Sequence, residues 1–270
     1  MAAIQPIALP TDRVIARIEG AIGWLTFNNP ARRNAMSQDM WEAIPLAFDA
    51  FEAYPAVRVV VLNGAGDKAF VAGADISQFN ELRYSPETVA KYDATSDEAN
   101  RRIAVSPKPT IAMIHGYCIG GGVGLAVCCD MRIASESAKF GVPATRLGLG
   151  YGPSGVKRLM DLVGPSHVKE IFYTARRFTA AEAKDMGLAN RVIPDAELET
   201  YVRGYCNTIA ENAPMTMFAI KRTVEELLTL SPNANLAEAD RLVAECFASA
   251  DYIEGRTAFM EKRKPMFKGR

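Results

Sequence analysis

Two short stretches of this chain carry residues whose types and spacing could do chemistry. They are Phe70-Val-Ala-Gly-Ala-Asp-Ile76 and Ile114-His-Gly-Tyr-Cys-Ile-Gly-Gly-Gly122. Each places Gly and Ala where a backbone N–H must approach a ligand with no side chain in the way. A triple Gly between a strand and a helix aims helix N-terminal N–H groups, and the positive end of the dipole, at one point. Two such donors on one carbonyl oxygen would stabilise an enolate or a tetrahedral oxyanion, often the largest single catalytic contribution. Three glycines by themselves also suit a tight turn. It is the second small-residue stretch that favours a ligand site.

Rigid elements must hold both stretches. Thr110–Ile114 is an apolar run that reads as a buried strand, and residues 123–129 read as the helix that follows the glycines. Residues 13–18 and 21–27, parted by Glu19-Gly20, predict a two-stranded hairpin. Ser37 predicts the N-cap of a helix through Trp41, Ile44, Leu46 and Phe51, with Pro45 a kink or break inside it. Residues 57–62 predict a strand ended by Asn63-Gly64. A strand–strand–helix order recurs in outline to residue 190, without a sequence period that would prove a repeat. After Pro194, residues 197–211, 214–228 and 236–249 predict successive amphipathic helices. The expected organisation is a core over 1–194 and a helical region over 195–270. The latter is too small to bury much alone, so it is expected to pack on the core or on a neighbouring subunit.

Composition narrows the function classes. Hydrophobic residues make up 49% of the 270, ample for a large core. Lys+Arg and Asp+Glu balance at 31 each, so no net field favours nucleic acid or an anionic membrane, while a local basic patch for a phosphorylated ligand remains open. Cys118, Cys128, Cys129, Cys206 and Cys246 show no CxxC spacing and read as buried thiols in a reducing compartment. No stretch approaches the length of a membrane-spanning helix, and the first ten residues lack a basic segment followed by a long apolar one. A cytoplasmic protein is the expectation. The sequence shows no metal-ligand cluster, no Ser-His-Asp pattern and no Walker A loop, so neither a metal nor a bound cofactor is expected.

Further motifs follow in order: Asn28-Asn-Pro-Ala-Arg-Arg-Asn-Ala-Met36, Pro107-Lys-Pro-Thr-Ile-Ala112, Cys129-Asp-Met-Arg-Ile-Ala134, Lys139-Phe-Gly-Val-Pro143, Arg177-Phe-Thr-Ala-Ala-Glu-Ala-Lys-Asp-Met-Gly-Leu188 and Tyr252-Ile-Glu-Gly-Arg-Thr-Ala-Phe-Met-Glu-Lys-Arg-Lys264. Together they make the chain resemble the crotonase (enoyl-CoA hydratase/isomerase) superfamily over nearly its whole length. The resemblance implies an α/β fold: a spiral of ββα turns with a C-terminal α-helical region at the contacts of a homotrimer or homohexamer. It implies an acyl-CoA thioester as substrate, with coenzyme A as part of that substrate. The implied oxyanion donors are the backbone N–H groups of Ala74 and Gly121. The implied CoA contacts are Arg33, Asn34, Ala35, Ala72 and Ile76, with Phe259 and Lys262 meeting the nucleotide end. A basic run such as Lys262-Arg-Lys264 also suits a solvated helix end.

The chain departs from the family at the proton-transfer groups. Similar hydratases carry one Glu three residues beyond the second oxyanion Gly and another directly after the Phe-Gly-x-Pro segment. Here these positions are Gly124 and Ala144, which can neither hold nor pass a proton. Tyr151 is the candidate replacement, with an aromatic plug in a pocket wall as its plainer role. Glu81, Asp93, Asp97 and Glu98 form a second pool, expected to be mostly solvated. Asp75 is expected to cap a helix starting at Ile76, Tyr117 to pack, His115 to be hydrogen-bonded structurally and His167 to sit on a helix surface. The implied activity is an acyl-CoA enzyme that stabilises a thioester enolate, with hydration itself in doubt. The alternatives are another reaction on the same scaffold (isomerisation, decarboxylation, C–C or thioester hydrolysis) or a non-catalytic acyl-CoA-binding protein.

Overall fold

The structure, a computed structural model, describes residues 4–75, 85–212, 214–229, 244–245, 247–263 and 265. Among these, two sheets share the strands. The larger has the order β1-β2-β3-β4-β6-β8-β11 and the smaller β10-β9-β7-β5. The large-sheet strands are β1 (Ile4–Ile7), β2 (Val14–Glu19), β3 (Ile22–Phe27), β4 (Val59–Gly64), β6 (Thr110–Ile114), β8 (Met131–Ser135) and β11 (Arg191–Ile193). The small-sheet strands are β5 (Ala69–Ala72), β7 (Tyr117–Ile119), β9 (Lys139–Gly141) and β10 (Phe178–Thr179).

The chain alternates between the sheets and then enters a helix. β4 and β5 precede α2 (Pro86–Val105), β6 and β7 precede α3 (Gly121–Cys128), and β8 and β9 precede α4 (Pro153–Thr174). Each turn lays its first strand parallel to its predecessor in the large sheet and its second in the small one. This is the ββα spiral that the family resemblance implies. The predicted hairpin is present: β2 and β3 pair antiparallel from Val14↔Phe27 to Glu19↔Ile22.

Alternation along the central strands feeds two cores. Leu25, Phe27, Val60, Leu62, Ala112 and Ile114 face α1 (Gln38–Ala53) and the helices of the spiral. Ile22, Trp24, Val59, Val61, Ile111 and Met113 face the other way, onto Leu198, Val202 and Cys206 of α6 (Leu198–Ala210). Strands covered on both faces lose the apolar/polar alternation of a half-exposed sheet. That is why β6 reads as one unbroken apolar run, and every residue of it is buried. Four cysteines, Cys118, Cys128, Cys129 and Cys206, are buried as free thiols.

Some boundaries differ from the sequence reading. β4 continues through Asn63 and Gly64 rather than stopping before them, and a Cβ at Gly64 would lie 2.1 Å from the Ala69 carbonyl oxygen. The glycine therefore serves a close approach between β4 and β5. α1 runs through Pro45, and its Leu46, expected on the apolar face, is 48% exposed. Beyond α5 (Ala180–Asp185) and α6 the chain continues in α7 (Pro214–Thr229). Most of the third predicted helix lies outside the described residues. The next described helix, α8 (Ala250–Met260), begins where that one was expected to end, with Ser249 Oγ accepting from the Tyr252 N–H at 3.1 Å. None of the described helices is long and apolar enough to cross a membrane.

Candidate active site

The two small-residue stretches meet side by side. Ala72 and Ile119 are register partners of β5 and β7. A Cβ on Gly120 would stand 3.8 Å from Gly73 Cα, and one on Gly121 would stand 3.9 Å from the Gly73 carbonyl carbon. Gly73 at φ +95° and Gly120 at φ +54° use backbone conformations that side chains resist. The glycines thus permit both the turn and the backbone contact.

A neighbouring loop fixes the direction of the first donor. The Met36 N–H donates to Gly73 O at 2.8 Å, and the Asp75 N–H donates to Met36 O at 2.8 Å. Successive N–H groups of extended chain point to opposite sides, so the Ala74 N–H points away from this rail. Gly121 is the first residue of α3, where an N–H has no acceptor in its own helix. Among the described residues neither N–H finds a protein acceptor. Two unengaged donors at one junction can bind one carbonyl oxygen.

Buried Asn34 anchors that loop. Its Oδ1 accepts from the Asn29 N–H at 3.0 Å, and its Nδ2 donates to Ala65 O at 3.0 Å and Ala69 O at 2.8 Å. Arg33 and Asn34 sit consecutively at φ +54° and +57°. Each such non-glycine residue costs of order 1–3 kcal/mol and persists only where the surroundings enforce it. Here the enforcement is the Asn34 amide together with the Ala72 N–H, which donates to Arg33 O at 3.1 Å. Ala35 is buried behind the rail and Arg33 is exposed on it. Asp75 pairs with Arg32 at 2.7 Å, tying the rail to the end of the first stretch. Its expected capping of a helix at Ile76 concerns residues outside the described ones, as does Glu81.

Behind Gly121 stands a residue that the sequence reading missed as part of the site. Trp41 Cζ2 would be 3.6 Å from a Cβ there, and the indole Nε1 donates to Tyr92 Oη at 2.8 Å in a buried contact. Trp41 also belongs to the apolar face of α1, so nothing in its periodicity marks it apart.

Gly124 and Tyr151 face one another. Tyr151 Oη lies 3.7 Å from where a Gly124 side chain would begin, and the ring packs edge-on against Phe172 with centroids 5.0 Å apart. The phenol thus stands over the Gly124 position. Ala144 is buried in a 3₁₀ turn (Ala144–Leu147), its carbonyl accepting from the Leu149 N–H at 3.0 Å. α8 packs on that same turn, where a Cβ at Gly255 would be 2.2 Å from Leu147 O. Phe259, 49% exposed, and Lys262 lie at the far end of α8.

The remaining candidates divide by environment. Glu98 is held by Arg101 at 2.7 Å on the surface. Asp97 is an exposed residue whose carboxyl is nonetheless pushed above the usual carboxylate range by desolvation, with the Arg158 guanidinium opposing. Cys128, one turn beyond Gly124 on α3, feels both charges, and burial pushes its thiol up to about 11. His115 Nδ1 lies 3.9 Å from Asp195 Oδ1, in the turn before α6. His167 is exposed on α4 with Nδ1 2.9 Å from Val163 O. Tyr117 does more than pack: the Arg33 and Arg177 guanidinium carbons lie 5.1 and 5.2 Å from its ring centroid. No group of metal-binding side chains occurs among the described residues.

Comparison with known proteins agrees with this architecture. The family model for enoyl-CoA hydratase/isomerase matches residues 17–270. A crotonyl-CoA hydratase of Syntrophomonas wolfei is 38% identical, over 95% of this chain and 98% of its own. A crystal structure of an enoyl-CoA hydratase/carnitine racemase from Magnetospirillum magneticum superposes with a TM-score of 0.80 at 36% identity, over 96% of this chain and 97% of that one. A methylmalonyl-CoA decarboxylase in complex with 2-nitronate-propionyl-CoA superposes with a TM-score of 0.89 at 29% identity, over 97% and 100%. With the match covering nearly the whole chain and the paired glycine stretches meeting as the motifs require, the chain belongs to the enoyl-CoA hydratase/isomerase family.

Proposed function

We propose that this chain binds an acyl-CoA thioester, holds its carbonyl oxygen between the N–H groups of Ala74 and Gly121, and stabilises the enolate formed there. The observation that carries the reading is the meeting of the two stretches with both N–H groups unengaged among the described residues. The CoA is assigned to Ala72 and to the backbone around Arg33, Asn34 and Ala35, with Ile76, outside the described residues, expected to join them and Phe259 and Lys262 expected to meet its nucleotide end, from this subunit or a neighbour in a trimer or hexamer. The core over 1–194 carries the oxyanion hole and the helical region over 195–270 the subunit contacts. The buried free thiols favour a reducing, cytoplasmic setting.

Efficient hydration needs a water held between two carboxylates, and Gly124 and Ala144 provide none. A reaction that creates the enolate without a carboxylate base suits this site better. In decarboxylation of a malonyl-type thioester, the bond from Cα to the carboxylate carbon breaks. Its electron pair moves onto the thioester carbonyl oxygen, carbon dioxide leaves, and Cα later takes a proton. Tyr151 Oη, standing over Gly124, is the candidate to direct the carboxylate or deliver that proton. The observation that favours this choice over hydration is the lack of any carboxylate at Gly124 and Ala144. Assays of crotonyl-CoA, malonyl-CoA and methylmalonyl-CoA turnover test it. Carbon dioxide release with slow hydration is expected. Rapid hydration by pure protein overturns the decarboxylation reading, and failure of all three thioesters to bind overturns the acyl-CoA reading.

A further inference from the structure

Resting on the decarboxylation reading, we infer that the Tyr252 hydroxyl is a second donor, beside Tyr151, for an anionic group carried by the acyl moiety. Tyr252 is 5% exposed, and its Oη is buried without a hydrogen-bond partner. Among the described residues it is the only buried hydroxyl so left. Gln38, Glu52 and Arg58 also bury an unpartnered atom, but each engages Thr95, Arg102 or Asn212 through another atom of the same group. A phenol has a single oxygen and no such recourse. A buried hydroxyl is unfavourable until something completes it, so the orphan calls for a reason.

The loop that carries Tyr151 also fixes Tyr252. Gly148, at φ +61°, ends the turn that begins at Ala144, and its N–H donates to the Ala144 carbonyl. A Cβ at Gly148 would lie 2.5 Å from Asp251 O and 2.8 Å from Tyr252 N, so only glycine lets this loop reach the first turn of α8. The Tyr252 N–H is held by Ser249 Oγ at 3.1 Å, and Phe247 meets the ring edge-on with centroids 5.1 Å apart. The Arg256 guanidinium carbon lies 5.8 Å from the ring centroid and leaves the hydroxyl unbonded. Gly148 and Tyr151 are three residues apart, at most about 11 Å of extended chain. Two phenols thus come to one locality. Tyr151 faces Gly124, and Tyr252 packs on the loop of Ala144, and neither Gly124 nor Ala144 carries a proton-transfer group.

A malonyl-type thioester brings a carboxylate whose two oxygens call for two donors. Tyr151 answers one and Tyr252 the other. Hydroxyl donors suit the chemistry better than a cation would. A cation at the carboxylate would hold the ground-state charge that must move to the thioester oxygen as carbon dioxide leaves, and so would favour the substrate over the transition state. A hydroxyl directs the group without a full opposing charge. The pair would therefore select an acyl group that carries an anion over the same group without one.

The test uses two thioesters. In sulfoacetyl-CoA a sulfonate stands where malonyl-CoA has its carboxylate, and no carbon dioxide can leave. Acetyl-CoA lacks the anion. Both are titrated into the native protein and into Tyr252→Phe, and urea unfolding of each free protein is recorded. The variant loses one oxygen from a packed ring, so its unfolding midpoint is expected to stay level or rise. Sulfoacetyl-CoA binding is expected to weaken about tenfold, as for loss of a hydrogen bond to a charged group, and acetyl-CoA binding to stay the same. Equal weakening of both thioesters would mean a structural role and overturn the inference. So would unchanged sulfoacetyl-CoA affinity, or a lowered midpoint, which would mean that the hydroxyl is satisfied in the free protein. Native protein that binds neither thioester would instead defeat the underlying acyl-CoA reading. Native protein that binds sulfoacetyl-CoA but releases no carbon dioxide from malonyl-CoA would defeat the decarboxylation reading alone, with the affinity ratio still deciding the Tyr252 contact.

Discussion

Glycines 121, 122 and 124 share one helix, yet each answers a different constraint. At Gly121 the backbone N–H is the functional atom. Proline there removes the donor, while the first turn of a helix tolerates the ring. Gly121→Pro is expected to cut turnover of whichever thioester is processed by about 10²–10³-fold. Its binding should weaken far less, because the enolate needs the donor more than the ground-state carbonyl does. Kinetics with circular dichroism as a folding control checks this, and full activity in a folded variant removes Gly121 from the mechanism. At Gly122 a Cβ would lie 2.2 Å from Val71 O, so Gly122→Ala should displace β5 and destabilise the protein severely. At Gly124 the nearest neighbour to a Cβ is Tyr151 Oη at 3.7 Å, an ordinary contact. Gly124→Ala is therefore expected to raise stability by up to about 1 kcal/mol through helix propensity. Denaturant titration of the pair should show opposite signs.

Among the elements, α5 shows how a short helix is held next to the small sheet. Thr179 and Glu182 form a capping box: the Glu182 N–H donates to Thr179 Oγ1 at 3.2 Å, and the Thr179 N–H donates to Glu182 Oε2 at 2.7 Å. The Thr179 N–H, then the Arg176 guanidinium and the Thr179 hydroxyl, hold the Glu182 carboxyl down at about 2. A carboxyl lowered by folding stabilises the native state above its unfolded value, 4.5, and loses that contribution as pH falls through about 2. Because this side chain is largely solvated, its worth follows that of an ordinary cap, about 1 kcal/mol. Glu182→Gln is expected to lower the melting temperature at pH 7 and to differ little from the native protein near pH 2. A constant difference across that range would show that the charge is irrelevant. α6 works differently. Leu198, Val202 and Cys206 close the outer face of the large sheet, so this helix, although it follows Pro194, completes the core.

At the scale of the whole molecule, the helical region leaves apolar surface uncovered. Ile220, Val224 and Leu228 recur at helical spacing on α7 and are 60%, 50% and 45% exposed. Such a stripe on a surface helix calls for a partner face. A second and third copy of this chain are the partners that the family resemblance implies. Light scattering is expected to give the mass of a trimer or hexamer, and Ile220→Glu to shift it toward the monomer. A monomeric native protein would refute the assembly and leave Phe259 and Lys262 dependent on their own chain alone.

How far the sequence reached depends on the range of the interactions involved. The buried strand at Thr110–Ile114, the hairpin and the helix after the glycines were legible, because local apolar pattern and turn chemistry dictate them. The small residues of both stretches were legible too, since only a backbone that must approach something closely forgoes side chains. That Gly124 and Ala144 carry no proton-transfer group was visible as letters. Only the tertiary structure decided what fills that space. The approach of Tyr151 Oη to Gly124 depends on the packing of α4 against α3, which no local pattern encodes. The same holds for Asn34, whose side chain joins its own loop at Asn29 to the distant backbone of Ala65 and Ala69, and for Trp41, which looks like any other core residue until Gly121 is set against it. Tyr117 was expected merely to pack, because nothing in its own stretch shows two arginines, 84 and 60 residues away, converging on one ring. Short-range preference writes elements into sequence, whereas a site made of residues far apart along the chain exists only once those elements are stacked.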